Sequence, residues 1–225
     1  MQKLQKEIGY VFQNPELLRT AFTHSSWVNE HPNAHAECYE RLEFLGDAIL
    51  DMVTAEKLYR CEPALPEGRM TRIRSKLVCE ESLYHVAQTL ELGRLLRLGR
   101  GEERSDGRQR VSVLADLVEA VIAAIFLDGG LSEAERFIES HVLKNAETII
   151  RSERADPKTE LQELIQRVPG NSIEYRLLSE DGPDHDKCFR FAVYLNGIYA
   201  GEGTGKSKKE AEQAAAGAAL EKQRA

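Results

Sequence analysis

Along the first 150 residues, apolar positions recur at intervals of three and four, the spacing of helices that bury one face. The pattern predicts helices over PELLRTAFTH (15–24), ERLEFLGDAILDMVTAEKLY (40–59), EGRMTRIRSKLVCEESLYHVAQTL (67–90), SVLADLVEAVIAAIFLDGG (112–130) and SEAERFIESHVLKNAETII (132–150). Breakers fall between them: HPN at 31–33, EPALP at 62–66, the polar run GRGEERSDGRQR at 99–110, and Gly129-Gly130. Ser132, with Glu135 three residues on, reads as a capping box opening the last helix.

The period changes after residue 150. RSERADP (151–157) is charged, ends in proline and reads as a linker. A short helix KTELQELIQ follows, then the alternating segments SIEYRLLSE, CFRFAVYLN and IYAGEG, with Asp-Gly and Asn-Gly pairs at the turns. An alanine-rich helix, SKKEAEQAAAGAALEKQ, closes the chain. The expectation is a mainly α domain over 1–150, a linker at 151–155 and a small α+β domain of order α-β-β-β-α over 156–225.

Composition changes this picture little. At 225 residues, 42% hydrophobic and 30% charged, the chain has an ordinary globular composition. No apolar run reaches the roughly 20 residues that span a bilayer, and the N-terminus lacks the apolar core of a secretory signal, so no membrane partner is expected. Four cysteines without CxxC pairs or zinc-like spacing fit reduced thiols in a cytoplasmic protein. Net charge is −7, and residues 156–225 hold 10 Lys+Arg against 12 Asp+Glu. A nucleic-acid partner therefore needs local clustering of cations.

Carboxylates are the conspicuous feature. On a helix, Glu40, Glu43 and Asp47 fall within an arc of about 60°, among Leu42, Phe44, Leu45, Ile49 and Leu50. A second pair, Asp116 and Glu119, is set in the apolar helix LADLVEAVIAAIF. Crowded carboxylates beside apolar bulk repel one another and resist ionisation. Oxygen ligands without His or Cys suit a hard cation such as Mg²⁺ or Mn²⁺. The residues alone leave open a solvated acidic face, or ion pairs with Arg69, Arg72 and Arg74. His24 in FTHSS suggests helix capping or packing ahead of base catalysis. A second local signal is Ser207 with Glu210, a capping box that places Lys208 and Lys209 in the first turn of the last helix, beside Lys206. Cations there oppose the helix dipole, and an arriving phosphate is attracted by dipole, free N–H groups and lysines together.

The motifs ERLEFLGD (40–47) and LADLVEAVIAAIFLDGG (114–130) resemble the two catalytic signatures of the ribonuclease III family. LLRTAFTHSS (17–26), PEGRMTRIRSKLV (66–78) and LGRGEE (98–103) match that pattern in order. DPKTELQELIQ, GPDHDKCF and GEGTGKSKKEAEQAAA are similar to the double-stranded-RNA-binding domain that follows in bacterial members. Tyr39 stands where the pattern has Asn. The resemblance implies a ribonuclease III nuclease domain joined to that RNA-binding domain, acting as a homodimer that cuts both strands of a duplex. It implies that Glu43, Asp116 and Glu119 ligate Mg²⁺, with Mn²⁺ a substitute, that Asp47 and Glu119 are catalytic, and that Glu40 and Glu67 support them or are merely structural. The products would be 5′-phosphate and 3′-hydroxyl ends, and the substrates precursors of ribosomal RNA and some messenger and transfer RNAs. Thr159, Gln162, Glu163 and Gln166, one polar face of the short helix, would meet 2′-hydroxyls in the minor groove. His185 would reach a neighbouring groove, and Lys206, Lys208 and Lys209 the phosphates. The competing classes are a non-catalytic duplex-RNA-binding protein on a dead nuclease scaffold, and an acidic protein-interaction module. A dead scaffold is expected to lack a central carboxylate; the interaction module leaves the lysine cluster unexplained.

Overall fold

The computed structural model describes residues 2–61, 63–154, 156–166, 168, 170–183 and 187–224. They divide into two compact units, Met1–Ile150 and Arg151–Ala225.

The first unit is helical: α1 Gln2–Glu7, α2 Pro15–Ala21, α3 Ser25–Glu30, α4 Glu40–Tyr59, α5 Glu67–Leu77, α6 Glu80–Thr89, α7 Arg100–Arg104, α8 Val111–Gly129, α9 Leu131–Phe137 and the start of α10 Ala146–Arg154, which runs past the boundary at Ile150. Helix α8 is the axis of this unit, touched by α2, α4, α6 and α9. Its residues Leu117, Val118 and Ala120 through Ile125 are fully buried, which is what an all-apolar helix requires. Between Val113 and Phe126 the polar residues are Asp116 and Glu119, both half-buried.

Four expectations need correction. The periodic stretch 67–90 is two helices, because Val78 ends α5 and Cys79 adopts an extended conformation as the cap of α6. The polar run 99–110 is not plain loop: it forms α7 and a 3-10 turn, wrapped around the Arg108 guanidinium, which donates to the carbonyls of Gly93 (2.8 Å) and Leu96 (2.6 Å) and pairs with Glu103. The Ser132–Glu135 capping box does not form. Gly130, at φ +84°, ends α8 and caps α9 at once, so the helix begins ahead of Ser132, and the stretch to 150 passes through a π turn at Ile138–Val142. Finally, α10 runs on through Arg154, with Ile150 in the core and Arg151 and Ser152 exposed. A charged segment can continue a helix that keeps one apolar edge.

The second unit has helix α11 Pro157–Gln166, strands β1 Ile173–Asp181, β2 Cys188–Leu195 and β3 Ile198–Gly205, and helix α12 Lys208–Arg224. The sheet is antiparallel in the order β1-β2-β3. Asn196 and Gly197 both take positive φ (52° and 78°) in the two-residue turn between β2 and β3, the conformation an Asn-Gly hairpin demands. Leu161 of α11, Phe191, Val193 and Leu195 of β2, and the alanine face of α12 make the core.

Candidate metal centre and nucleic-acid interface

Helices α4 and α8 pack against each other, and Gly46 sets how closely. A Cβ added there would fall 1.9 Å from the carbonyl oxygen of Glu119. The missing side chain lets the α8 backbone settle onto α4, which brings the acidic positions of the two helices together.

Glu43, Asp116 and Glu119 converge: each offers a carboxylate oxygen, and these oxygens lie within 4.8 Å of one another. All three carboxyl groups are held above their ordinary pKa. For Glu43 the causes are burial, then the charges of Asp116, Glu40 and Asp47. For Asp116 they are burial and Glu80, with His24 acting in the opposite sense. Glu119 is pushed up to about 8 by burial, then by Asp47, Asp116, Glu43 and Asp51. The charges acting on Glu119 are all carboxylates. A divalent ion held among the three carboxylates would offset their mutual repulsion. The donor set, oxygen only, fits Mg²⁺ or Mn²⁺.

Asp47 is exposed one turn beyond Glu43, close enough to act on both Glu43 and Glu119. Glu40 is exposed at the first position of α4, and its charge reaches Glu43. Glu67 is not part of the convergent trio; it is exposed at the start of α5, accepting the Thr71 hydroxyl at 2.9 Å. Arg74 pairs with Asp51 at 3.6 Å rather than with the trio. Sequence reasoning missed Asp51 and Glu80. Asp51 was findable, one helical turn past Asp47 on the same face. Glu80 comes from a different helix, which no local period reveals.

On α11, Leu161 is buried, which turns Gln162 and Gln166 to solvent and leaves Thr159 and Glu163 half-buried. Asp156 caps this helix through the Thr159 N–H (2.9 Å) and ties it to α12 through Gln213 (2.7 Å). At the start of α12, the Glu210 N–H donates to the Ser207 hydroxyl at 3.2 Å, and the Glu210 carboxylate accepts the Lys206 N–H at 2.8 Å. Lys206, Lys208 and Lys209 are exposed around that helix start, with Lys208 Nζ 5.8 Å from the Phe189 ring. His185 lies outside the described residues. Arg97 and Arg110 are engaged within the protein, over the Trp27 ring and with Glu102 respectively.

A helical unit with a carboxylate trio, joined to an α-β-β-β-α unit with a lysine-rich helix start, is the architecture of a nuclease carrying its own duplex-RNA-binding module. Family models agree: ribonuclease-III-like over residues 14–146, and double-stranded RNA binding motif over 157–223. The chain is 45% identical over 221 residues to Ribonuclease 3 of Oceanobacillus iheyensis, covering 98% of this chain and 97% of that one. It is 47% identical over 224 residues to Ribonuclease 3 of Geobacillus thermodenitrificans, covering 100% and 91%. A solved nuclease domain of ribonuclease III from Campylobacter jejuni, described for structural flexibility in its dimer-forming region, is similar at a TM-score of 0.59 and 35% identity, covering 64% of this chain and 96% of that one. The chain belongs to the ribonuclease III family. It is an enzyme of that class, a double-strand-specific endoribonuclease. Among the described residues, no helix is long and apolar enough to cross a membrane.

Proposed function

We propose that this chain hydrolyses phosphodiester bonds of double-stranded RNA with Mg²⁺ as cofactor and Mn²⁺ as a substitute, leaving 5′-phosphate and 3′-hydroxyl ends. The observation that carries the reading is the convergence of Glu43, Asp116 and Glu119, where the charges acting on Glu119 among the described residues are carboxylates. These three would hold the ion. When bound, Mg²⁺ supplies an acidified water and offsets charge on the phosphate. Asp47, exposed beside the trio, orients the attacking water or a ligand through water. Glu119 gives up its proton as the site fills. Glu40 and Glu67 line the cleavage valley as supporting acids.

Recognition falls to the second unit. Thr159, Gln162, Glu163 and Gln166 meet 2′-hydroxyls in the minor groove, His185 a neighbouring groove, and Lys206, Lys208 and Lys209 the phosphates. The enzyme works as a homodimer in the cytoplasm, on precursors of ribosomal RNA and of some messenger and transfer RNAs. Support for the dimer comes from α4, where Phe44 is 81% exposed, Tyr59 78% and Met52 47%. These lie within about 80° on one helix face, and an apolar face of that kind calls for a partner. The test is incubation of the full chain with long duplex RNA, with and without Mg²⁺, beside single-stranded RNA and duplex DNA. Cleavage confined to the duplex RNA lane with Mg²⁺ is expected. Intact duplex RNA with Mg²⁺ would instead favour a binding protein on an inactive scaffold.

A further inference from the structure

Between α9 and α10 the backbone coil changes width twice. Ile138–Val142 is a π turn, closed by the Leu143 N–H donating to the Ile138 carbonyl, and Leu143–Asn145 follows as a tight 3-10 turn. Such coils break the regular three- and four-residue stacking of side chains, and π turns recur at functional sites. Here the irregular stretch meets α6 and leaves a cavity of about 360 Å³. The cavity belongs to the first compact unit and shares no residue with the carboxylate trio. Its floor is apolar, with Val86 of α6 buried and Ile149 of α10 half-buried. Its rim is basic: His85 of α6, His141 of the π turn and Lys144 of the 3-10 turn line it, beside the Asn145 amide. Among the described residues that line it, none is Asp or Glu, in a chain of net charge −7. Lys57, Lys158 and Lys187 each pair with a glutamate. Among the described residues, no hydrogen bond or ion pair engages the side chains of His85, His141 or Lys144. Burial and the Lys144 charge also hold the His141 imidazole below its usual pKa, and an anion between the two would offset that repulsion.

We propose that this cavity binds a small phosphate monoester with an apolar body, its phosphate held by His85, His141 and Lys144 and its body seated on Val86 and Ile149. A phosphate monoester carries close to two negative charges and three free oxygens, which three N–H-bearing side chains match better than they match a carboxylate. The volume lies at the small end of ligand cavities, about 300–1,000 Å³, and suits one nucleotide rather than a chain of them. The site is independent of the metal centre and of the duplex-binding unit.

Adenosine 5′-monophosphate and phenyl phosphate are titrated into the full chain in EDTA, which keeps divalent ions away from the carboxylate trio. Adenosine and inorganic phosphate are titrated as the separate halves. Both esters should bind, and each half should bind about tenfold or more weakly than adenosine monophosphate. The ring C–H signals of His85 and His141, assigned in proton spectra from His85→Gln and His141→Gln, should shift on addition of either ester. Lys144→Gln and His85→Gln change exposed side chains, so melting temperature and duplex-RNA cleavage should match the parent. Each should nonetheless weaken ester binding by about tenfold or more, the usual effect of losing a hydrogen bond to a charged group. Failure of both esters to bind at millimolar concentration would overturn the proposal, as would parental ester affinity in both variants. Inorganic phosphate binding as tightly as the esters would overturn it as well, since the apolar floor would then contribute nothing. Weaker duplex-RNA binding by Lys144→Gln, without ester binding by the parent, would assign the basic rim to RNA instead.

Discussion

Gly46 on α4 lies directly beneath the backbone carbonyl of Glu119 on α8, so close that a methyl group at 46 would sit 1.9 Å from that oxygen. Both partners are helix backbone, and neither can rotate away as a side chain would. Gly46→Ala must therefore part the two helices or distort one of them, a small-to-large strain of about 1–3 kcal/mol or more. Because Glu119 is the residue displaced, the loss should fall on the site as well as on stability. A lower melting temperature together with weakened Mn²⁺ binding is the expected result in calorimetry. Unchanged values for both would mean that the helices do not meet at this point.

The half-burial of Glu119 makes an explicit pH prediction. Its carboxyl is raised from 4.5 to about 8 in the folded chain without metal. The protonated form is thus the one the fold prefers. The stabilising effect is complete below pH 4.5 and is lost as pH rises through about 8. The metal-free melting temperature should fall across that window, and Glu119→Gln, which stays neutral, should flatten the fall. Metal binding must expel the same proton, so apparent Mn²⁺ affinity should climb by up to about tenfold per pH unit below 8. Calorimetry in buffers of different ionisation enthalpy counts the proton released. No proton release at pH 6–7 would remove Glu119 from the ligand set.

Glu119→Gln and Asp47→Asn should also separate chemistry from binding. Each keeps size and hydrogen-bonding reach while removing one negative charge from a crowded cluster. Cleavage should drop by orders of magnitude. Duplex affinity should stay near the parent, because α11 and the start of α12 belong to the other compact unit. Melting temperature without metal should hold or rise. Normal cleavage in both variants contradicts the assigned site, and unfolding of both indicates that these acids serve structure.

On the RNA side, Lys208 and Lys209 are exposed in the first turn of α12, where the Ser207–Glu210 cap leaves the helix dipole pointing at them. Replacing both by Ala should weaken binding to every duplex sequence alike. Each lost phosphate contact should also reduce the slope of log affinity against log salt by roughly one. An unchanged slope in filter-binding or anisotropy titrations over a range of salt would move the RNA face elsewhere.

Much of this was legible in the sequence, and the exceptions share a physical cause. The carboxylates at 43, 116 and 119 announced themselves because each is polar on an apolar helix face, and helical period is a local property. The Asn196-Gly197 hairpin and the Ser207–Glu210 cap were legible for the same reason. Glu80 was not, since its reach to Asp116 depends on how α6 lies against α8. The cap expected at Ser132 failed because Gly130 had already opened the helix. His24 was legible as a cap because that role is decided within two residues.

Phe44 tests the assembly without touching the metal. It belongs to the same helix as Glu43 and Asp47, yet it is 81% exposed, which is unusual for so large an apolar side chain amid a signature of buried ones. In a two-fold interface each such residue is buried twice. At about 1.5–3 kcal/mol for covering one phenyl ring, the pair contributes about 3–6 kcal/mol to association. Phe44→Arg should weaken the dimer by about 100-fold to 10,000-fold, visible as monomer in sedimentation at micromolar chain. The three carboxylates that converge all come from one chain. The monomer should therefore keep its Mn²⁺ affinity in calorimetry while losing the ability to cut both strands of one duplex. A Phe44→Arg chain that remains dimeric would place the interface off this face of α4. One that loses Mn²⁺ along with its partner would mean that the metal site is completed across the interface.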